Sequence, residues 1–204
     1  MSKNKKMHVE LRYYEIPQDE PLLALLGDSW KRNYGNDVDF LHFHNLLEVG
    51  YCHFGKGIMD INDGIDYPYR AGTFTIIPRN LPHNTISETA EAIDFWEYLF
   101  IDEDNFLKHL YDSEILFLQK LIRRINQKAF ILHENDYPIL AETIKMILCE
   151  MRQPQEFTRE IVHGLMLQLL MQAARLTPAV ITESSLFLKA KIQISPALDY
   201  LLEH

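Results

Sequence analysis

Residues 42–85 read HFHNLLEVGYCHFGKGIMDINDGIDYPYRAGTFTIIPRNLPHNT, and this stretch decides the fold class. Short runs rich in β-branched and aromatic residues alternate there with turn signals such as Asn62-Asp63-Gly64. Many short strands at this spacing are typical of an all-β sandwich or barrel. The same pattern of short apolar runs and turns extends over residues 8–100. Within it, we expect a helical turn at 22–26. The predicted strands are 9–14, 40–43, 46–52, 57–61, 73–77, 83–86 and 93–100.

From Asp102 onward, glycine and proline become scarce and apolar residues recur every three or four positions. This period predicts amphipathic helices. Asp102 and Asp136 are placed to cap helix N-termini, and Pro138 suits a first turn. The predicted fold class is mainly β plus α, with a β-barrel in residues 1–101 and a helical region in 102–190. The predicted helical segments are 104–126, 139–151 and 157–176.

Composition narrows the function classes. The chain has 204 residues, of which 47% are hydrophobic and 24% charged, so it can bury a core. Its net charge of −9 disfavours direct DNA contact, which needs clustered Lys and Arg. No run of ~18 uncharged apolar residues could span a membrane, and the N-terminus lacks the apolar part of a signal peptide. Cys52 and Cys149 form no motif, so we expect a reducing, cytoplasmic location.

Three histidines and one glutamate in the quoted stretch could share one cavity. Residues two apart on a strand point to the same side, so His42 and His44 face one way. Glu48 can return to that side if the chain stays extended, and His83 can enter from a neighbouring strand. Imidazole and carboxylate donors suit Zn, Fe, Ni or Mn. The same four side chains could instead line a pocket for a polar ligand without metal, or serve packing alone.

Two spacings resemble the paired motifs of the cupin superfamily, whose fold is a jelly-roll β-barrel. Asn80 stands where the second motif usually has glycine, and Ser87 stands where it usually has asparagine. The resemblance implies a cupin barrel, with or without a divalent metal held by the three histidines and the glutamate. The two spacings are His42-x-His44-x3-Glu48-x6-Gly55 and Gly72-x5-Pro78-x4-His83.

The order of segments resembles the sensor half of AraC/XylS-type transcription regulators, in which one N-terminal cupin precedes helices for linking and dimerisation. The Gly55-Lys56-Gly57 turn and the aromatic-rich strand 94–100 add to this likeness. Residues 191–204 resemble the start of that family's DNA-binding domain, with an ending similar to an expression tag. The helix-turn-helix units, and any contact with DNA, would belong to the part beyond.

The resemblance implies a protein that is not an enzyme but binds a small effector, most often a sugar or related metabolite, to bias two DNA-binding states. Aromatic faces stack on sugar C–H groups, whereas Glu and His bind hydroxyls. The aromatic candidates could equally belong to the core. The candidate ligand-binding residues are His42, His44, Glu48, His83, Phe54, Trp96 and Tyr98.

Homodimerisation is predicted through the C-terminal helices, best through Phe157 to Leu176, because this segment is apolar on more than one face. The alternative is that the segment simply packs on the barrel. Two other functions remain open: a metal-dependent cupin enzyme of dioxygenase, isomerase or lyase type, and a structural dimerisation module with an empty barrel. No nucleophilic triad, phosphate-binding glycine loop or paired-carboxylate signature points to a hydrolase or nucleotide-binding protein.

Overall fold

A computed structural model describes residues 8–35 and 40–177, and within them the chain forms 11 strands and four α-helices. The predicted start of a DNA-binding domain, residues 191–204, lies outside the described residues. The strands are β1 His8–Arg12, β2 Leu23–Leu25, β3 Lys31–Arg32, β4 Phe40–His44, β5 Leu47–Phe54, β6 Lys56–Asp60, β7 Asp66–Arg70, β8 Thr73–Ile77, β9 Asn84–Ser87, β10 Asp94–Ile101 and β11 Phe130–His133. The helices are α1 Glu103–Leu110, α2 Ile115–Ile125, α3 Pro138–Arg152 and α4 Thr158–Leu176.

The central sheet has the strand order β11-β8-β5-β10-β2, and β3 also pairs with β10. Its two middle strands, β5 and β10, are antiparallel and are buried along most of their length. A second sheet has the order β7-β6-β9, and β1 pairs with β4 in parallel. The β-rich half followed by helices agrees with the predicted fold class at this level.

Alternation along β5 separates two cores. Leu47, Val49 and Tyr51 face a cluster that includes residues of all four helices. Leu46 and Cys52 belong to a second cluster, on the other side of the sheet, which contains no residue of the helices. Because Glu48 has the same parity as the second set, it points away from the helices, as the two-residue period of a strand requires.

The predicted helix 104–126 is two helices, α1 and α2, separated at residues 111–114. Asp102 caps α1, since its side chain accepts a hydrogen bond from the Asn105 backbone N–H. Asp136 does not cap α3: Tyr137 occupies that position, and Pro138 begins the helix as predicted. The prediction of an Asp136 cap was therefore wrong by one residue.

Four short strands were missed, and three of them depend on a partner distant in the chain. The run 22–26 contains β2, rather than a helical turn, since it pairs with β10. β11 lies between two helices and returns to the edge of β8, so the predicted helical region also contributes to the central sheet. β3 likewise pairs with the distant β10, whereas β7 is the second arm of a local hairpin with β6, across the turn that contains Asn62-Asp63-Gly64.

Most apolar residues of α4 are buried inside the chain. Val162, Leu169 and Leu170 are almost fully buried in the helix-side core. Phe157 and Ile161, at the start of the helix, remain exposed. Within residues 8–35 and 40–177, no helix is both long enough and apolar enough to cross a membrane.

Glu103 is the first residue of α1, and its side chain is buried with a hydrogen bond from Asn126 Nδ2 at 2.7 Å. Burial raises the pKa of Glu103 to about 7, and the neighbouring Asp104 adds to the effect. The unfolded chain releases this proton near pH 4.5, whereas the folded chain holds it to about pH 7. Stability is therefore lost as pH rises between these values, and the loss is complete above pH 7.

We expect Glu103→Gln to stabilise the protein at pH 8 by on the order of 2 kcal/mol, because the amide removes the buried charge and still accepts the Asn126 hydrogen bond. Near pH 4.5 the variant and the wild type should be equally stable. Urea unfolding at both pH values measures this difference. A stability gain that is the same at both pH values would contradict the assignment to Glu103.

Candidate functional site: a buried cluster of three histidines and a glutamate

The structure brings His42, His44, Glu48 and His83 together. The first two lie on β4, Glu48 lies on β5 after a two-residue turn, and His83 precedes β9. All four side chains are buried, and one ligand atom from each lies within 4.8 Å of the others. Their sequence separation of up to 41 residues is closed by the packing of β4 against the start of β9.

Backbone hydrogen bonds hold the two halves of the cluster. His42 N donates to His83 O at 2.9 Å, and His83 N donates to His42 O at 2.8 Å. Asn80 N donates to His44 O at 2.7 Å, which fixes the turn that leads to His83. Asn80 has φ of 59°, a left-handed conformation that asparagine tolerates better than most residues. The asparagine can therefore stand where the cupin motif usually has glycine.

The tautomer of His83 follows from its surroundings. His83 Nδ1 lies 2.9 Å from Leu81 O, and a carbonyl oxygen can only accept, so Nδ1 carries the proton. The lone pair of His83 Nε2 is then directed into the cluster, where Glu48 Oε2 lies 3.5 Å away. A backbone carbonyl that fixes the far nitrogen in this way is the usual second partner of a metal-binding histidine.

Four buried imidazole nitrogens in the cluster have no hydrogen-bond partner: His42 Nδ1, both nitrogens of His44, and His83 Nε2. His44 Nε2 is 2.7 Å from Glu48 Oε2 but is not aligned for a hydrogen bond. Each buried polar atom without a partner costs about 1–3 kcal/mol. Such atoms in a folded protein call for a bound ion, water or ligand, and this donor set fits a divalent transition metal.

The histidines of β4 are held in the neutral form that binds metals. Burial lowers the pKa of His42 to about 2, with a further contribution from His83. Burial also lowers the pKa of His44, and it outweighs the opposite effect of Glu48. For Glu48, burial alone would raise the pKa, but the adjacent imidazoles of His83 and His44 outweigh it and hold the pKa well below its usual value.

The cluster forms part of a cavity of about 160 Å³. Aromatic side chains form much of the wall, and two arginines, Arg12 and Arg32, complete its polar part. Engineered apolar cavities of about 150 Å³ hold a benzene-sized molecule, so this one suits a single small ring or a compact chain. The aromatic residues are Tyr14, Trp30, Tyr34, Tyr98 and Phe100.

The three aromatic candidates from the sequence have different positions. Tyr98 lines the cavity, whereas Trp96 lies outside the lining, fully buried, with its ring parallel to that of Tyr98 and 6.1 Å away. Phe54 is 43% exposed and contacts Phe95. The pairing of β5 with β10 shifts by one residue between Cys52 and Phe54. This bulge interrupts the alternation of side chains along β5, so Phe54 does not point to the same side of the sheet as Glu48 and Cys52.

Sequence reasoning missed the lining residues of the N-terminal segment, among them Arg12, Tyr14, Trp30, Arg32 and Tyr34. All lie before β4. Arg12 enters because β1 pairs in parallel with β4, with Arg12 opposite His44. Tyr14 is held by two hydrogen bonds of 2.9 Å with the side chain of Asn45. A parallel pair formed across 32 residues leaves no local pattern that a sequence could reveal.

No protein-family model matches the sequence, and no curated protein has a similar sequence. Several solved structures share part of the fold. The AraC-like transcriptional activator CuxR is 15% identical, with 76% of this chain and 52% of CuxR covered and a TM-score of 0.43. ToxT from Vibrio cholerae in its P21 crystal form is 13% identical, with 81% and 59% covered and a TM-score of 0.44.

An apo ToxT variant from Vibrio cholerae strain SCE256 is 11% identical, with 82% of this chain and 61% of ToxT covered and a TM-score of 0.49. The chain thus spans a little over half the length of these proteins. These values describe a partial likeness in fold.

Proposed function

We propose that this chain is the effector-sensing and dimerisation domain of an AraC-type transcription regulator with a cupin barrel. A small molecule bound in the cavity would control DNA binding by a helix-turn-helix domain further along the protein. The observation that carries the proposal is the cavity itself: four buried metal-type donors on one side and an aromatic wall on the other. The sequence motifs quoted above supply the likeness to that family.

We further propose that His42, His44, Glu48 and His83 hold one divalent transition metal. The ion would give one unpartnered imidazole nitrogen on each of the three histidines a ligand bond. When bound, it would supply a Lewis-acid contact for an oxygen atom of the effector. The aromatic wall would orient that effector. Two of its rings, those of Tyr98 and Trp30, are held against each other edge to face, with ring centroids 5.3 Å apart.

A route from the cavity to the helices supports a sensing role. Tyr98 lines the cavity, and its neighbour on β10, Glu97, is fully buried on the opposite side of the strand. Glu97 Oε1 accepts a hydrogen bond from Gly27 N at 2.9 Å, three residues before Trp30, and Oε2 is paired with Arg152 of α3. A ligand that moves Trp30 or Tyr98 therefore acts on the strand that α3 is tied to.

The second candidate function is a metal-dependent cupin enzyme. The complete set of three histidines and one carboxylate favours it, because catalytic metal sites leave coordination positions open for substrate. Sensor and enzyme differ in what happens to the bound molecule: a sensor releases it unchanged, whereas an enzyme converts it.

The metal proposal predicts about one transition-metal ion per chain. Protein purified without chelator and without a nickel column should contain it by elemental analysis, and the His42→Ala/His44→Ala double variant should lose it. His109→Ala is the matched control, because His109 lies exposed on α1 and outside the cluster. Wild-type protein that neither contains nor takes up Zn, Fe, Ni or Mn would contradict the metal site.

The sensor proposal predicts stabilisation by a small ligand. A ligand at a hundred times its Kd adds about 2.7 kcal/mol, which should raise Tm by roughly 5–10 °C for a chain of this size. A thermal-shift screen of monosaccharides and related metabolites measures this, and mass spectrometry then examines the hit after incubation. Chemical conversion of the hit would favour the metal-dependent enzyme over the sensor. If no compound shifts the melting temperature, the structural dimerisation module is favoured.

Homodimerisation is proposed through the exposed apolar residues of α3 and α4. Phe157 is 64% exposed, Ile161 is 43% exposed, and Ile139 and Met146 on α3 are also exposed. Apolar side chains left in water at the start of a helix whose remainder is buried are typical of a partner surface.

We expect Ile161→Asp to convert the dimer to a monomer, because a buried charge in the interface is unpaired. Light scattering coupled to size exclusion measures the mass. Ile65→Asp is the control: Ile65 is 55% exposed in the turn between β6 and β7, outside the helical region, and the same charge there should leave the dimer intact. A dimer that persists in both variants would exclude the start of α4 from the interface.

A further inference from the structure

The charges that line the cavity are unbalanced. Its lining contains two guanidinium groups, from Arg12 and Arg32, and a single carboxylate, from Glu48. Glu48 lies among the imidazoles, with its Oε2 2.7 Å from His44 Nε2 and 3.5 Å from His83 Nε2. Among the lining residues, two positively charged side chains thus accompany one negatively charged side chain, and a divalent metal would add further positive charge.

Arg12 lies next to the cluster. Its backbone is opposite His44 in the β1–β4 pair, and paired residues of parallel strands project to the same side. Its charge contributes to lowering the pKa of both His42 and His44. Arg12 Nε is 3.7 Å from Glu10 Oε2, a partly exposed pair that water screens strongly.

Arg32 approaches from the other wall. Its guanidinium lies over the ring of Trp30 at 4.5 Å and over that of Tyr34 at 5.0 Å, measured to the ring centroids. In the part of the chain that the structure describes, no carboxylate lies within 4.0 Å of it. One side of the guanidinium contacts Tyr34, and an arginine stacked on aromatic rings can direct its remaining N–H groups at an anion.

We infer that the effector is a small carboxylic acid in its anionic form, recognised by Arg12 and Arg32 while its remainder lies along the aromatic wall. A guanidinium presents paired N–H donors that match a carboxylate, and charge-assisted bonds of this kind are roughly twice as strong as neutral ones. A neutral sugar would leave the two guanidinium groups without a negatively charged partner on the ligand. The cavity volume of about 160 Å³ limits the acid to one ring or a short chain.

This inference rests on the proposed function and adds the ligand class. Its test uses matched pairs of probes that differ in charge but not in size: galacturonate against galactose, and benzoate against benzyl alcohol. Isothermal titration calorimetry of the full chain, both zinc-loaded and zinc-free, gives each Kd. We expect at least one acid to bind ten-fold or more tightly than its neutral partner, with a Kd that rises with salt.

The variants Arg12→Gln and Arg32→Gln remove the charge while keeping a hydrogen-bonding side chain. Each should weaken binding of the acid at least ten-fold while the variant keeps the circular dichroism spectrum of the wild type. Arg70→Gln is the control, because Arg70 is exposed on β7 and does not line this cavity. It should bind the acid as the wild type does.

Two results would overturn the inference, and they can be told apart. Equal binding of acid and neutral probe, unaffected by Arg12→Gln and Arg32→Gln, would overturn the anionic ligand and leave the sensor in place. Binding of none of the four probes, with zinc or without it, would overturn both the anionic ligand and the small-molecule sensor.

Discussion

The rest of this structure depends on the two reciprocal backbone hydrogen bonds between His42 and His83. They join β4 to the start of β9, and so connect the β1–β4 pair to the three-stranded sheet. Because β1 is carried by β4 alone, the same contact also positions Arg12. The cavity wall and the side-chain cluster are consequences of one backbone contact between residues 41 positions apart.

That contact places groups together that a core would normally exclude. The hydrophobic cluster on this face of the central sheet is apolar. The imidazoles of β4 are nevertheless buried there with nitrogens that have no hydrogen-bond partner. A fold tolerates such a cost where it is offset elsewhere, here by the long antiparallel ladder of β5 and β10 and by the helix-side core. Destabilised polar groups inside a stable frame are characteristic of a binding site rather than of packing.

The two faces of the central sheet have different roles. The face that includes Val49 and Phe74 is covered by helices and supplies hydrophobic stability. The opposite face carries Glu48 and Tyr98 toward the cavity. Glu97 connects the two, because it is buried on the helix side of β10 yet bonded to the loop that leads to Trp30. Glu97 thus links the loop beside the cavity to α3 through two side-chain contacts.

Local periodicity is encoded in the sequence, and it predicted seven of the strands and the three helical segments, the first of which is two helices in the structure. The set of His42, His44, Glu48 and His83 followed from strand alternation together with the two motif spacings. Pairing between distant segments is not local, and only the tertiary structure decided it. The parallel placement of β1 brought Arg12 to the cluster, β11 returned from the helical half to the sheet, and a bulge turned Phe54 outward. Side-chain period is a property of one strand, whereas a cavity wall is a property of several strands that meet.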